Sequence, residues 1–413
     1  MYNEFVAQQK RCVTSTLETK MPKLPIAGPI AKGDDFFGRS RELRRLWSLL
    51  DSGHVLLLAP RRVGKSSILA RMAVDATEHD FATFQQSVAG CQDELTLVRD
   101  LYRAVLEVDG TIIQKLGNKP WATNFARFLP KAATLGPVAF TFDEAAAAPW
   151  RDLGEALIRV LSEHQDKKYL FLIDELPLFV LNLLQQDPAR ARAFLEWFRG
   201  VRQRLDNVRW LLAGSVGLDS ITRAAGLTST INDLQAMHLG EFSPQDADGF
   251  ITQATERAGF ELDPPTRAYL LGRVGWPIPF FLAHFIRELD DIRRDGGELD
   301  THSVDTAFGR LVSVEQRVIY AHWEERLAQQ FIQAHADLAH DLLDTIAVDP
   351  LGPTEEALFV TMVDEKQVAA CRMVMNDLLS DGYIVCAEDG RWKFRSPMLH
   401  AYWKKFARRG NRV

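Results

Sequence analysis

The sequence predicts an α/β protein with a parallel β-sheet, followed by a helical bundle and a C-terminal winged-helix domain. Short apolar runs, each suited to a strand buried on both faces, alternate with helical patterns as far as about Leu239. Such alternation is typical of a parallel sheet covered by helices. Beyond Leu239 the helical patterns continue without strands. The C-terminal part then shows three helices followed by a hairpin, which is the order of a winged helix.

The elements are predicted in chain order. Three apolar runs predict central strands at 54–59, 169–173 and 208–213. Apolar residues at helical spacing predict helices near 95–105 and 150–161. A Ser-Pro start, with the serine as cap, predicts the first helix of the bundle at Ser243. The C-terminal helices are predicted at 336–347, 354–363 and 366–380, before a hairpin that turns at 388–390.

These patterns divide the chain into four segments. Residues 1–32 form an N-terminal extension that ends in a Pro/Gly-rich linker, and 33–240 form the sheet-containing core. Residues 241–312 form the helical bundle, and 313–413 form the winged-helix domain.

Composition and charge exclude several classes of protein. The 413-residue chain is 46% hydrophobic and 25% charged, which excludes wholesale disorder and collagen-like or coiled-coil structure. No run approaches the roughly 18 apolar residues of a spanning helix, so we expect no membrane association. With 49 basic and 55 acidic residues the net charge is −6, which disfavours nucleic-acid binding over the whole surface. The four cysteines form no C-x-x-C pair, and we expect reduced thiols in a cytoplasmic protein.

A phosphate-binding loop of the pattern G-x-x-x-x-G-K-[ST] follows the first predicted strand, with an alanine in place of its first glycine. Its residues are Ala59, Pro60, Arg61, Arg62, Val63, Gly64, Lys65, Ser66 and Ser67. The backbone N–H groups of such a loop meet phosphate oxygens at the N-terminus of the next helix. Gly64 allows close approach, Lys65 places its charge on the β- and γ-phosphates, and Ser66 can hold Mg²⁺.

Two acidic residues, Asp174 and Glu175, end the second predicted strand. Ligands bind at the carboxyl edge of a parallel sheet, so we expect both carboxylates to lie beside the phosphate-binding loop. Asp174 is predicted to orient Mg²⁺, and Glu175 to polarise the water that attacks the γ-phosphate. Ser215 ends the next strand, where it either contacts the γ-phosphate or the water, or belongs to a simple turn.

These motifs together resemble the AAA+ ATPases, most closely the archaeal-type ATPase branch near the STAND NTPases. The family's Gly-Arg-x-x-E-L segment is matched from Gly38 and Arg39, and its Gly-x-Pro lid motif is matched at Pro277. The resemblance covers about residues 33–290 and, more loosely, the C-terminal third. It implies a P-loop NTPase core with a helical lid and a winged helix. It also implies that Gly38 and Arg39 flank the adenine and that Pro277 reaches the base or ribose.

The resemblance leaves three roles open. Arg273 is the nearest match to a lid arginine of the sensor-2 kind, or else a charge on a helix surface. His400 either contacts the nucleotide, as a winged-helix histidine does in the STAND group, or packs within its own domain. Ring-forming relatives supply an arginine finger to the neighbouring subunit near the end of the helix before the Ser215 strand. Arg199 and Arg202 lie there, and the alternative is a solvated basic helix face.

The C-terminus combines basic and aromatic residues. They are Lys393, Arg395, Lys404, Lys405, Arg408, Arg409 and Arg412, with Trp392, Phe394, Tyr402, Trp403 and Phe406. On a winged helix this composition indicates contact with the DNA backbone. The predicted recognition helix at 367–377, however, has one arginine and little else that reads bases. We therefore favour a winged helix that packs on the ATPase as a regulatory lid.

The sequence thus predicts an ATPase that works as a molecular switch, with ATP or ADP and Mg²⁺ bound between core and lid. Hydrolysis is expected to move the lid and the winged helix and to act on an unidentified protein partner, with nucleotide-dependent homo-oligomerisation as a further expectation. One alternative is a DNA-associated ATPase whose winged helix binds duplex DNA. Another is a small-molecule kinase that uses the same loop, which Glu175 disfavours.

Overall fold

A computed structural model of the chain describes residues 23–108, 150–163, 167–214, 217–330, 333–360 and 364–407. The core contains a parallel β-sheet of β1 (His54–Leu58), β2 (Phe81–Ser87), β3 (Lys168–Asp174), β4 (Val208–Gly214) and β5 (Leu234–His238). The strands lie in the order β2-β3-β4-β1-β5, and each neighbouring pair is parallel. The carboxyl ends of β1, β3 and β4 therefore meet at one edge.

Helices cover both faces of this sheet. They are α1 (Ser40–Ser52), α2 (Lys65–Asp75), α3 (Glu94–Val108), α4 (Trp150–Glu163), α5 (Leu176–Gln186), α6 (Pro188–Arg204) and α7 (Leu218–Ala224). Successive side chains of a strand point to opposite faces, so Leu57 packs in the cluster with α1 and α2, whereas Leu56 packs in the cluster with α3 to α7. Within the described residues, no helix is both long and apolar enough to cross a membrane.

The predicted helical bundle consists of α8 (Pro244–Ala258), α9 (Pro264–Val274), α10 (Pro279–Arg294) and α11 (Thr301–Leu311). Local sequence determines where these helices begin. Prolines occupy the first turn of α8, α9 and α10, where a missing N–H leaves no hydrogen bond unmade. The side chains of Ser243, Asp263 and Asp300 accept hydrogen bonds from the first-turn backbone of α8, α9 and α11.

The C-terminal domain has the predicted order of helices and hairpin. Its elements are α12 (Ala321–Gln330), α13 (Gln333–Val348), α14 (Glu355–Phe359), α15 (Glu365–Ser380), β6 (Ile384–Cys386), β7 (Trp392–Phe394) and α16 (Pro397–Tyr402). The strands β6 and β7 pair antiparallel, and a π-helical turn, Trp403–Ala407, continues α16. Helices α12 and α16 were not predicted from the sequence.

One continuous hydrophobic cluster joins the α1/α2 side of the core to the bundle and to the C-terminal domain. Phe281 of α10 stacks on Trp323 of α12 with ring centroids 5.6 Å apart. The Pro/Gly-rich segment also packs, since the Lys23 N–H donates to the Arg257 carbonyl at 2.7 Å and Arg287 donates to the Pro25 carbonyl at 3.2 Å. Residues 23–31 are therefore not a free linker. Any movement of the C-terminal domain has to open this shared interface.

Candidate functional site

The loop between β1 and α2 has the backbone of an anion-binding turn. Arg62 and Gly64 both adopt left-handed conformations, with φ of 68° and 98°. Left-handed residues turn neighbouring N–H groups toward one side of a loop and form a concavity that accepts anions. Val63, between them, is fully buried and anchors the loop in the core. The helix α2 begins directly afterwards at Lys65, so its positive end faces the same space.

Four polar side chains meet at the carboxyl edge of the sheet. The Lys65 ammonium lies 3.1 Å from Glu175 Oε1 and 3.5 Å from Asp174 Oδ1. The Ser66 hydroxyl donates to Asp174 Oδ2 at 2.7 Å. Lys65 is only 7% exposed, so its charge acts in a partly dehydrated space where electrostatic interactions are strong. Glu175 has a left-handed φ of 62°, which turns the chain sharply out of β3 into α5.

The donor set beside Ser66 suits a magnesium ion. A hydroxyl oxygen and a carboxylate oxygen lie in contact there, and hard divalent cations prefer oxygen ligands. Within the described ranges, no group of three or more His, Cys, Asp or Glu side chains is arranged to hold a metal. Mg²⁺ commonly takes only one or two protein carboxylates and completes its shell with phosphate oxygens and water. Ser66 and Asp174 fit that type of site.

A cleft of about 280 Å³ lies over the loop. Its lining comes from the loop and α2, from Glu175, from the N-terminal segment and from the start of α10; the contributing residues are Ile26, Gly28, Pro29, Ile30, Ala31, Pro60, Arg61, Arg62, Gly64, Lys65, Ser66, Ser67, Glu175, Pro279 and Phe280. The Ala31 N–H donates to the Ser67 hydroxyl at 3.0 Å, which ties the N-terminal segment to α2. We call this space the phosphate cleft.

A second, smaller cavity of about 60 Å³ adjoins the phosphate cleft. Ile26, Ala31, Gly64, Ser67 and Pro279 line both spaces. The smaller cavity is mostly apolar and carries four aromatic rings, those of Phe36, Phe37, Phe242 and Phe250. Aromatic and aliphatic side chains with a few polar groups are typical of the lining of a small-molecule site. We call this space the base cavity.

Arg39 lines the base cavity and also braces the site. It is 3% exposed, and its guanidinium donates to the carbonyls of Val63, Gly240 and Glu241 at 3.0, 2.8 and 3.2 Å. Burial lowers the pKa of Arg39, although an ion pair with Glu42 opposes that effect. The side chain thus connects the phosphate-binding loop to the segment that leads into the bundle. Its neighbour Gly38 has a φ of 64°, which favours glycine.

The lid motif is predicted to place Pro277 at the site, but the proline found there is Pro279. Pro277 lines neither the base cavity nor the phosphate cleft. Its carbonyl instead accepts a hydrogen bond from the Phe242 N–H at 3.0 Å. Pro279, two residues later, lines both spaces, and a Cβ added to Gly64 would lie 3.9 Å from its ring. Pro279 rather than the predicted Pro277 is therefore the proline of this motif that lies beside both spaces.

Arg202 lacks the exposure that a finger acting on another subunit needs. It is 3% exposed, and its guanidinium pairs with Asp233 at 2.7 Å and donates to the Thr230 carbonyl at 2.6 Å. This buried pair fixes the end of α6 to the segment before β5. We therefore correct the prediction for Arg202 to a structural role. Arg199 is half-buried, and its Nε has no hydrogen-bond partner among the described residues.

Arg273 and His400, whose roles the sequence leaves open, both contact partners away from the phosphate cleft. Arg273 pairs with Asp305 at 2.9 Å and lies over the ring of Phe308. His400 shares a hydrogen bond with the Ala347 carbonyl at 3.0 Å and stacks on Phe394, both within the C-terminal domain. These contacts correspond to the helix-surface and packing alternatives. Ser215, like Arg408, Arg409 and Arg412 of the tail, lies outside the described residues.

The C-terminal domain contacts the back of the phosphate-binding loop. A Cβ added to Gly382 would lie 2.7 Å from the Trp276 ring and 3.2 Å from Pro60 Cβ, so only glycine fits there without movement. Arg395 lies over the same Trp276 ring, 5.7 Å from its centroid. Burial raises the pKa of Asp377 to about 6 where α15 meets the core, and a hydrogen bond with Ser220 opposes this effect. Loop, lid and C-terminal domain therefore meet at one place.

Several residues of the site were not predicted from the sequence. The sequence predicts a linker for the N-terminal segment, yet Ile26 and Ala31 line both spaces. Phe280 follows the predicted lid motif directly, and its ring faces Arg62 of the loop at 4.7 Å. The signal that could have found it is the run Pro277-Ile278-Pro279-Phe280, in which a helix begins immediately after the motif.

No family model and no curated protein matches the chain. Among solved structures, the Walker-type ATPase PABY2304 of Pyrococcus abyssi is similar at 19% identity and a TM-score of 0.60, over 91% of this chain and 98% of that one. The Aeropyrum pernix ORC2 protein, in ADPNP–ADP complexes, is similar at 13% identity and a TM-score of 0.51, over 92% of this chain and 96% of that one. At these identities the likeness shows the fold, and the predicted α/β fold with a parallel-sheet P-loop core is confirmed.

Proposed function

We propose that this chain, which has the fold of AAA+ P-loop ATPases, is a Mg²⁺-dependent ATPase that works as a molecular switch. The observation that carries the proposal is the meeting of Lys65 and Ser66 with Asp174 and Glu175 at one sheet edge. A phosphate-binding loop alone would support nucleotide binding. The additional carboxylate of Glu175, within reach of the same space, supports hydrolysis.

Each residue of the site has a part in this reaction. The loop N–H groups and Lys65 bind the β- and γ-phosphates, while Ser66 and Asp174 hold Mg²⁺. When bound, Mg²⁺ neutralises charge that develops on the phosphate oxygens. Water attacks the γ-phosphorus, the bond from that phosphorus to the β–γ bridging oxygen breaks, and ADP leaves with the electron pair. Glu175 accepts the proton of the water and later returns it to solvent.

The ion pair between Lys65 and Glu175 gives the resting site a defined state. At 3.1 Å from the ammonium, Glu175 is held toward the loop. Phosphate oxygens compete for the same ammonium, so binding of ATP would release Glu175 to orient water. The ADPNP–ADP complexes of the Aeropyrum pernix ORC2 protein support ATP and ADP as the ligands here. The apolar base cavity beside Arg39 supports a purine base.

The contact of the C-terminal domain with the loop supports the switch. Gly382 packs on Pro60 and Trp276. Gly275 packs on Pro397, and a Cβ added to Gly275 would lie 2.6 Å from the Cδ of that proline. Such close packing does not deform continuously, so a shift of the loop on hydrolysis would move the C-terminal domain as a unit. That movement would be passed to a protein partner. A nucleotide-dependent homo-oligomer, with Arg199 facing a neighbour, and a cytoplasmic location remain parts of the proposal.

The packing of the C-terminal aromatics favours this regulatory use over duplex DNA. Tyr402 and Trp403 are almost fully buried, so their rings cannot stack on bases. Arg372 is the arginine of the predicted recognition helix, and it pairs with Glu355 at 2.9 Å. Lys404 and Lys405 are exposed, and binding of duplex DNA through them is the alternative.

The experiment that tests the proposal measures free phosphate and ADP from the full chain with ATP and Mg²⁺. We expect equal amounts of both products, loss of both on chelation of Mg²⁺, and no response to mixed-sequence duplex DNA at physiological salt. ADP formed without free phosphate, in the presence of a phosphate acceptor, would instead indicate the kinase. Tight DNA binding that weakens steeply with salt would promote the DNA-associated ATPase. No product above the level of a Lys65→Ala variant would contradict ATP hydrolysis.

A further inference from the structure

The phosphate cleft contains an arginine that is not committed to any acceptor. The Arg62 guanidinium lies over the Phe280 ring, 4.7 Å from its centroid. It makes no hydrogen bond or ion pair with any residue that the structure describes. Its side chain is exposed and lines the cleft together with Lys65 and Glu175. A cation of this kind, held only by a ring, is free to bind an anion that enters the cleft.

The backbone at Arg62 adopts a conformation that is unusual for a residue other than glycine. Its φ of 68° is a conformation that glycine adopts without cost and that an L-residue adopts only under strain. Strained residues persist mainly where the strained conformation serves a site. Here the side chain of Arg62 reaches the Phe280 ring at the start of α10.

Arg61 also lines the cleft, whereas the other cations considered for the site already have partners. Lys65 contacts Asp174 and Glu175. Arg39 donates to three backbone carbonyls, and Arg273 of the lid pairs with Asp305. Burial lowers the pKa of His284 to about 4, so its imidazole is uncharged at neutral pH. A γ-phosphate adds negative charge and oxygen acceptors, which need a further cationic hydrogen-bond donor. Arg62 is placed to supply it.

We propose that Arg62 binds the γ-phosphate of ATP from within the same chain, leaves the Phe280 ring to do so, and thereby distinguishes ATP from ADP. This inference rests on the proposed function. A guanidinium presents a planar pair of N–H donors that matches phosphate oxygens, and its contact with a ring is weaker than a charge-assisted hydrogen bond. During hydrolysis it neutralises charge on the γ-phosphoryl oxygens and transfers no proton, because arginine stays protonated.

The exchange of partners would report nucleotide state to the rest of the molecule. Phe280 lies in the first turn of α10, and its ring meets His322 of α12 edge-on at 6.1 Å. With Arg62 on the ring, the loop is tied to α10; with Arg62 on a γ-phosphate, that tie is released. Loss of the γ-phosphate would restore it. The arginine would thus act both on the substrate and on the lid.

The test measures affinities for ATP and ADP by calorimetry, each with Mg²⁺, in the full chain carrying Glu175→Gln to prevent turnover. Arg62→Ala should weaken ATP at least about tenfold and ADP by no more than about twofold. Phe280→Leu keeps an apolar side chain and removes the ring, and should tighten ATP about two- to fivefold relative to ADP. Arg71→Ala, an exposed arginine paired with Asp75 on α2, is the matched control and should change neither affinity.

Three outcomes would overturn the inference. Equal weakening of ATP and ADP by Arg62→Ala would make Arg62 part of the general phosphate cradle. Loss of ATP preference in Arg61→Ala or Arg273→Ala, but not in Arg62→Ala, would assign the role to that residue. Absence of binding by either nucleotide would refute both the inference and the proposed function. Binding of ATP without release of phosphate by the chain with Glu175 intact would refute the proposed hydrolysis alone, because the affinity ratio still reports on Arg62.

Discussion

Glu175→Gln is expected to bind ATP with nearly unchanged affinity and to hydrolyse it at least about a hundredfold more slowly than the unmodified chain. The amide keeps the shape of the carboxylate and can still accept a hydrogen bond from Lys65, 3.1 Å away. It cannot take a proton from water. The step that loses its base is the chemical one, so kcat should fall while the dissociation constant stays. Single-turnover phosphate release and calorimetry measure the two quantities separately.

The matched control is Glu196→Gln, an exposed glutamate on α6 whose partner Arg192 is 3.9 Å away. It removes one acidic charge from the surface and should leave both quantities unchanged. Hydrolysis by Glu175→Gln at the rate of the control would show that another group activates the water. The role of Glu175 would then be limited to its ion pair with Lys65.

Lys65→Ala is expected to weaken binding of ATP and ADP by about ten- to a hundredfold, the range of one or two charge-assisted hydrogen bonds. Removing the ammonium also leaves Asp174 and Glu175 without the cation that faces both of them. Their repulsion of incoming phosphates should add to the loss. The increase in melting temperature on addition of ATP and Mg²⁺, which reflects ligand affinity, should largely disappear.

Lys168→Ala is the control for this substitution. Lys168 is exposed at the start of β3, at the opposite end of the strand from Asp174, so its loss removes one positive charge far from the cleft. Nucleotide should stabilise this variant as it stabilises the unmodified chain. Equal stabilisation of Lys65→Ala by ATP would mean that nucleotide binds elsewhere.

The central strands could be predicted from the sequence because burial on both faces imposes continuous apolar runs. β3 is buried at every position after Lys168. The edge strands β2 and β5 lack that constraint and were missed. In β2 only Phe81 and Phe84 are buried, and in β5 only Met237 is buried. Their pairing with β3 and β1 is set by tertiary structure, which a local pattern does not contain.

The same distinction separates the predicted and the missed parts of the site. Lys65, Ser66, Asp174 and Glu175 were predictable because a loop and a strand end carry them in short motifs. Contacts between distant segments were not. Arg202 resembled an exposed helix charge until Asp233, from another segment, proved to cover it. Nothing local in the sequence indicated that the N-terminal segment would cross the cleft.

The central claim is that nucleotide bound at the phosphate-binding loop controls the packing of the C-terminal domain. Hydrogen–deuterium exchange on Glu175→Gln, saturated first with ATP and then with ADP, tests it most directly, since exchange measures local opening. Peptides at the loop serve as the internal control for binding. Peptides that contain Gly275, Gly382 and Pro397 should exchange at different rates in the two states. Identical exchange of these peptides with ATP, with ADP and without nucleotide, while the loop is protected by both, would contradict the switch.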